Sequence, residues 1–493
     1  MGLMGCLAMT AHGFTPAMPL ALRRATGAVQ SPVRARARCE AKRGMLGVRC
    51  QGDSTTPHKS ESVTGKGTRV CIVGGGFGGL YTALQLAQLL PLQSEGERAK
   101  ITLVDSGERF VFLPMLYELV TGELKDWEVA PVFTDLLEGT PIEFVHGTTS
   151  GLDLSTRCLK VDLAAVAGGG TTEVHYDKLV LATGVSALMP PEAEAVDALP
   201  FMRAEDAKEL RARLGQLRFK AARRKDERRL AGKPERPSIA IVGGGYSGVE
   251  LACSLAESVG TWADVKLFHR GEQIMPGAAR FNRITSYQEL QRRGVKLSTS
   301  TSVSEIKEGS LTVTTKGANS STVEPFDILV WTAGTGSNEL AKMAGMATNS
   351  AGKIPVDAFL RVRDHDGVYS LGDTAECFDA LGDKMAPNAQ VAVQQSQTLA
   401  WNIHSDITNG VPVKFRYQNL GEMVTMGRYA ASVSSDVFGL GASGPVGSAL
   451  RRATYLLRMP NNRHRAQVAA SWISRLPNDI ADLLSASARG NAR

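Results

Sequence analysis

Residues 69–79 read RVCIVGGGFGG, and the fold follows from this stretch. A short apolar strand pattern, Arg69–Val73, runs straight into a glycine cluster, and Leu80 to Leu90 then carries a helical pattern. Gly74, Gly76 and Gly79 have G-x-G-x-x-G spacing. Glycine is needed in such a turn because the backbone bends sharply and must approach a pyrophosphate closely. The phosphate then rests on the unpaired amides of the helix N-terminus. The next strand pattern ends at Asp105, an acid placed to bond a ribose hydroxyl. It follows Gly79 by 26 residues, more than usual, and residues 91–98 read as a loop insertion.

The same grammar recurs further along. Ser238–Val242 leads into Gly243, Gly245 and Gly248, a helix to about Ser258 and a strand Val265–His269. Two such openings predict two doubly wound α/β domains. The second strand ends in His269 followed by Arg270, with no acid. An acid there would repel the 2′-phosphate of NADP, whereas Arg270 could pair with it. The alternative reading of both residues is a polar start to a loop.

Three more segments share one design: an apolar strand ending in small residues or Gly-Asp. They are YDKLVLATG (Tyr176–Gly184, ending in Thr183-Gly184), FDILVWTAG (Phe326–Gly334) and VYSLGD (Val368–Asp373, ending in Gly372-Asp373). Small residues let the backbone lie against a ligand, and Asp373 could bond a flavin ribityl hydroxyl. The order of these segments resembles the flavoproteins with two dinucleotide-binding domains. That resemblance, over about residues 67–400, implies FAD on the first glycine motif and Gly372-Asp373, with NADPH or NADH on the second. The expected fold class is α/β: two Rossmann-like dinucleotide-binding domains, the FAD domain split around an inserted NAD(P)H domain, plus a C-terminal amphipathic helical membrane-docking segment. The expected boundaries are 67–202 and 351–414 for the FAD domain, 203–350 for the NAD(P)H domain with its charged linker, and 415–493 for the docking segment.

No C-x-x-C pair exists, so hydride is expected to leave the flavin for a diffusible acceptor. FLPMLYE (Phe112–Glu118) and AQVAVQQ (Ala389–Gln395) resemble motifs of the type II NAD(P)H:quinone oxidoreductases. By that resemblance Gln390 and Gln394 border a quinone, and Glu250 stands near the nicotinamide. Gln390 and Gln394 also read as two ordinary polar positions on a helix. Val393 sits where some members carry a His. Residues 415–476 resemble the plastid branch of the family, the demethylphylloquinone reductases. Two other functions remain open at this stage: a flavoprotein reductase of an iron–sulfur partner, and a flavin-binding scaffold without turnover.

Charge and composition narrow the partners. The net charge of +7 sits in residues 1–66, with ten Lys/Arg against three Asp/Glu, while the rest of the chain is neutral. A nucleic-acid partner therefore loses its main support. Before Glu40 the leader has no acid and five scattered arginines, the composition of an organelle transit peptide, or of a merely disordered tail. With the resemblance, it implies a chloroplast location, a plastid membrane or lipid-droplet surface, with the mitochondrion second. Val446, Leu450, Ala453, Leu456 and Leu457 fall on one helical face, as do Val468, Trp472, Ile473 and Leu476. From Arg451 onward there are eight Arg and two Asp. Such segments suit a membrane interface, or else pack on the core or on a second subunit of a homodimer. Seven cysteines and eight histidines show no metal-ligand spacing, and no metal is expected.

Overall fold

The computed structural model describes residues 67–90, 99–223, 236–336, 339–435 and 439–490. The leader, the expected loop insertion at 91–98 and the second half of the charged linker lie outside them.

Both glycine motifs sit where a parallel strand meets a helix. Strand Arg69–Val73 feeds helix Phe77–Leu89, and strand Ser238–Val242 feeds helix Tyr246–Val259. These strands lie inside their sheets, and their β-branched runs are buried on both faces, as parallel strands covered by helices require. The first sheet has seven strands, in the order Val368–Ser370, Lys178–Leu181, Arg69–Val73, Lys100–Asp105, Ile142–Asp153, Cys158–Leu163 and Thr171–His175. Its first five strands are parallel; the last two pair antiparallel as an outer hairpin. The second sheet is parallel, in the order Lys296–Ser298, Asp264–Phe268, Ser238–Val242, Ile328–Trp331 and Leu199–Pro200.

One strand lies where the expected boundaries put it and one crosses them. Val368–Ser370 joins the first sheet after the whole second sheet has been laid down. Leu199–Pro200, expected in the first domain, bonds to Ile328–Trp331 in the second sheet, which therefore begins before residue 203. The charged stretch opens as helix Ala204–Arg223, and its Leu210 and Leu214 are buried. Strand Asp264–Phe268 stops one residue short of His269. Beyond helix Ala389–Thr408, a three-stranded antiparallel sheet leads to helices Gly444–Leu457 and Asn462–Gly490.

Candidate active site

The first glycine motif closes tightly on itself. Gly74 has φ +102°, and a Cβ there would stand 2.4 Å from the carbonyl oxygen of Ala182. A Cβ on Gly79 would stand 1.8 Å from the carbonyl oxygen of Gly74. Gly76 caps the helix from extended backbone without a capping side chain, so the first-turn amides face outward from the strand ends. Asp105 accepts the Gly75 N–H at 2.5 Å and the Gly107 N–H at 2.7 Å, and burial pushes its carboxyl up from the ordinary range.

The neighbouring strands complete this edge. The Gly184 N–H donates to Thr374 Oγ1 at 2.7 Å, and the Thr183 hydroxyl lies 3.3 Å from the same oxygen. Gly372 donates its N–H to Gln395 Oε1 at 2.7 Å. Gln395 is 1% exposed, and its Nε2 is buried without a hydrogen-bond partner. Beside it Asp373 is half-buried, and burial raises its carboxyl too. Gln395 follows Gln394 by one helix position, and nothing in its spacing marks it out from Gln390 and Gln394, the two expected at the site.

The second motif repeats the geometry with one change. Gly243 has φ +120°, and a Cβ there would meet Thr332 Oγ1 at 2.6 Å. A Cβ on Gly248 would lie 1.8 Å from the Gly243 carbonyl oxygen, and Gly245 caps the helix as Gly76 does. Gly334, at φ +82°, turns the chain after Ile328–Trp331. The Gly244 N–H donates to Nδ1 of His269 at 3.1 Å, the bond that Gly75 makes to Asp105. The other ring nitrogen, Nε2, lies 3.0 Å from the Gln273 carbonyl, so the ring carries its proton on Nε2. His269 thus occupies the acid's seat as a neutral acceptor. Arg270 is exposed and lines, with His269, Glu272 and Gln273, a hollow of about 480 Å3.

Residues 68–396 match the model of the pyridine nucleotide-disulphide oxidoreductase family. The chain belongs to this family. It is 36% identical over 465 residues to the alternative NAD(P)H-ubiquinone oxidoreductase C1, chloroplastic/mitochondrial, of Arabidopsis thaliana, covering 88% of this chain and 86% of that one. It is 37% identical over 409 residues to the demethylphylloquinone reductase NdbB of Synechocystis, covering 83% and 96%. The solved structure of NDH2 from Plasmodium falciparum in complex with NADH has the same fold, with TM-score 0.69 at 15% identity over 83% of this chain and 98% of that one.

In this oxidoreductase the thiols are placed as core side chains. Cys71, Cys158, Cys253 and Cys377 are free and buried. Burial pushes the thiols of Cys71 and Cys253 up to about 12 and that of Cys377 up to about 11, far from the thiolate that redox chemistry needs. Cys158, Glu173 and His175 bring ligand atoms within 4.8 Å of one another on the outer hairpin, a cross-strand grouping that no sequence spacing announces.

Glu250, two residues past Gly248, ties the second motif's helix to Tyr117 and to the C-terminal segment. It accepts from the Tyr117 hydroxyl at 2.6 Å and from the Thr425 N–H at 2.7 Å. Burial pushes its carboxyl up to about 7, against the lowering effect of those bonds and of Arg451. Tyr117 belongs to FLPMLYE, so that motif and Glu250 meet directly. Gln390 and Gln394, expected to border a quinone, bond to the segment 417–421. Gln390 accepts from the Tyr417 hydroxyl at 2.8 Å and the Leu420 N–H at 3.0 Å, and donates to the Gly421 carbonyl at 3.0 Å. Gln394 and the backbone of Gln418 bond to each other twice, at 2.8 and 3.0 Å. Both amides hold residues 417–421 against the helix; Gln390 keeps a second N–H for a further partner, and Gln394 keeps a second N–H and one lone pair on its oxygen.

The tail turns part of its expected cationic face inward. In helix Gly444–Leu457 the buried side chains are Ser448, Arg451 and Tyr455, while Val446 is 65% and Leu450 38% exposed. Three arginines point inward to glutamates: Arg451 to Glu118 at 2.6 Å, Arg452 to Glu123 at 3.6 Å and Arg475 to Glu128 at 2.6 Å, while Arg463 pairs with Glu138 on the exposed surface. The expected cationic face is thus partly consumed within the protein. Of the expected apolar faces, Val468 is buried and Trp472 half-buried, while Ile473 and Leu476 stay exposed. Tyr455 also packs edge-on against Phe112, which meets Phe77 at the first motif.

Proposed function

We propose that this protein is an FAD-dependent NAD(P)H:quinone oxidoreductase. The observation that carries the reading is the pairing of two equivalent glycine cradles with described thiols that are buried and pushed above their ordinary range: two dinucleotides can be held, and no described cysteine is poised to receive their electrons. The relatives named for quinone reduction, similar along most of this chain, favour a quinone as the acceptor.

The first cradle fits FAD. Gly74 and Gly79 have no room for a side chain, the helix after Gly76 has open amides for a pyrophosphate, and Asp105 can take a ribose hydroxyl. Asp373 and the unpartnered Nε2 of Gln395 would face the same ligand. Thr183, Gly184 and Gly372 would let the backbone lie against it. Bound there, FAD would supply the two-electron relay between nicotinamide and quinone. At the second cradle Gly243, Gly245, Gly248 and Gly334 would hold the nicotinamide nucleotide. His269, a neutral acceptor, removes the negative charge that disfavours a 2′-phosphate, and Arg270 supplies a cation beside it. NADPH is therefore expected to serve at least as well as NADH.

In this reading the FAD domain is split around the NAD(P)H domain, with Val368–Ser370 returning to close the first sheet. Glu250 would hold a proton near neutral pH, the group the acceptor half-reaction needs. Gln390 and Gln394 would shape the acceptor path by fixing residues 417–421 and could each offer one N–H to it. Among the described residues no helix is long and apolar enough to cross a membrane. We place the docking surface on the exposed Val446, Leu450, Ile473 and Leu476, facing lipid, since a quinone with an apolar tail stays there. The leader and the chloroplastic/mitochondrial relative favour a plastid. The test is anaerobic. The bound flavin absorbance should bleach with NADPH and return with a short-chain quinone. A flavin that NADPH bleaches but no quinone restores refutes the assignment.

A further inference from the structure

The tail helix sends a charge into the protein close to Glu250, whose carboxylate joins the second cradle's helix to the FLPMLYE segment and to Thr425. Arg451 is fully buried, and its Nη2 donates to Glu118 at 2.6 Å. Glu118 is 3% exposed and follows Tyr117, whose hydroxyl donates to Glu250. One polar cluster therefore joins three elements distant in sequence: helix Leu116–Thr121, helix Tyr246–Val259 and helix Gly444–Leu457. Its bonding is incomplete: Nε and Nη1 of Arg451 and Oε2 of Glu118 are buried without a hydrogen-bond partner. A guanidinium with two free donors in a low-dielectric interior acts on every nearby carboxylate, not only the one it touches.

The groups facing Glu250 can be named element by element. Tyr117 and Glu118 come from helix Leu116–Thr121, Arg451 and Tyr455 from the tail helix, and the Thr425 amide from strand Glu422–Thr425. On its own helix stand Tyr246, Cys253 and Glu257. Arg451 is the cation that acts on Glu250; Arg293, just past helix Arg280–Arg292, faces Cys253 and pairs with Glu257 at 3.2 Å. Arg451 favours ionised Glu250, while Glu118 holds part of that cation's field.

We propose that Arg451 is a positioning residue of the reaction centre: seated by the tail helix and shared between Glu118 and Glu250, it governs when Glu250 holds a proton, so that proton delivery depends on the tail being in place. The inference rests on the quinone-reductase reading above. It makes the tail part of the site rather than only its means of reaching lipid.

The test uses the full, FAD-loaded chain and a water-soluble short-chain quinone, so that membrane docking plays no part. Flavin reduction by NADPH and flavin reoxidation by the quinone are followed separately against pH in wild type, Arg451→Met, Arg451→Lys and Glu118→Gln. Reoxidation should fall as Glu250 loses its proton. Arg451→Met, lacking the cation, should move that midpoint to higher pH. Glu118→Gln, leaving the cation to Glu250 alone, should move it to lower pH, and Arg451→Lys should stay near wild type. Shifts of about half a unit, roughly threefold in rate on that limb, are expected. A purely structural tail would slow both half-reactions without displacing the midpoint, or displace it alike in Met and Gln variants, and either result overturns the inference. If Arg451→Met fails to retain FAD, the Lys and Gln variants decide alone. A wild type that no quinone reoxidises overturns the quinone reading and the inference with it; a normal wild-type profile unmoved by the variants overturns only the inference.

Discussion

Removing the tail should cost this protein its fold, not only its membrane. Deleting residues 444–490 strips Arg451 from Glu118, Arg452 from Glu123 and Arg475 from Glu128. With the tail in place the side chain of Glu128 is 0% exposed and that of Glu118 4%, so the truncate must either leave these acids unpaired in the interior or open to hydrate them. Breaking a buried ion pair from one side costs about 3–5 kcal/mol. Two such pairs plus the partly exposed Arg452–Glu123, discounted for solvent, sum to roughly 7–11 kcal/mol, against a total stability of about 5–15 kcal/mol. The truncate is therefore expected to be insoluble or to lose its flavin, whereas a tail that serves only as an anchor would leave a stable enzyme. Single changes isolate the cause. Arg451→Met should lower the unfolding free energy measured in urea by about 3–5 kcal/mol, and adding Glu118→Leu should recover most of it, because an apolar pair needs no partner. A flavin-loaded truncate melting like the intact chain, or an Arg451→Met variant within about 1 kcal/mol of wild type, would refute the reasoning.

Other expectations follow from single contacts. Gly79→Ala should abolish flavin retention while Gly248→Ala leaves flavin bound but weakens NADPH, since each new methyl would sit 1.8 Å from a carbonyl oxygen of its own cradle; flavin content and NADPH titration check this. Arg270→Ala should reduce kcat/KM for NADPH about ten- to a hundredfold, the worth of one charged hydrogen bond, and leave NADH unchanged in steady-state assays. Glu250 is raised in the folded state to about 7, so its contribution to stability is present in acid and lost as pH rises through that value. Glu250→Gln should therefore be more stable than wild type at pH 8, but not at pH 5, by urea unfolding. Because the tail's arginines are paired inward, flotation with neutral-lipid vesicles should persist in high salt and disappear in Ile473→Asp with Leu476→Asp.

The two cradles were legible because their requirements are local. A glycine at a positive φ, a carbonyl within 1.8 Å and an uncapped helix start are all set within a few consecutive residues, and the spacing repeats at Gly74 and Gly243. The strand ends followed within a residue, as with Asp264–Phe268 and its neighbour His269. The missing acid at His269 was legible as well. That the ring fills the acid's seat, bonded to Gly244, depended on the loop to Gln273 closing over it.

The tail and the glutamines were not legible, for the opposite reason. A helical face in sequence shows which side chains lie together but not which side meets the protein. Helix Gly444–Leu457 carries an apolar stripe and a polar stripe, and hydrophobicity alone would bury the first. The second is buried because Arg451 finds Glu118 across 333 residues of chain, and Gln390 and Gln394 are claimed by backbone at 417–421. Two dinucleotide cradles and the lack of a paired thiol motif could be read from the residues alone, because those are properties of short contiguous stretches. Which face of the tail turns inward, and that Arg451 meets Glu118, came from folding, because a buried charge is tolerated only where a distant partner meets it.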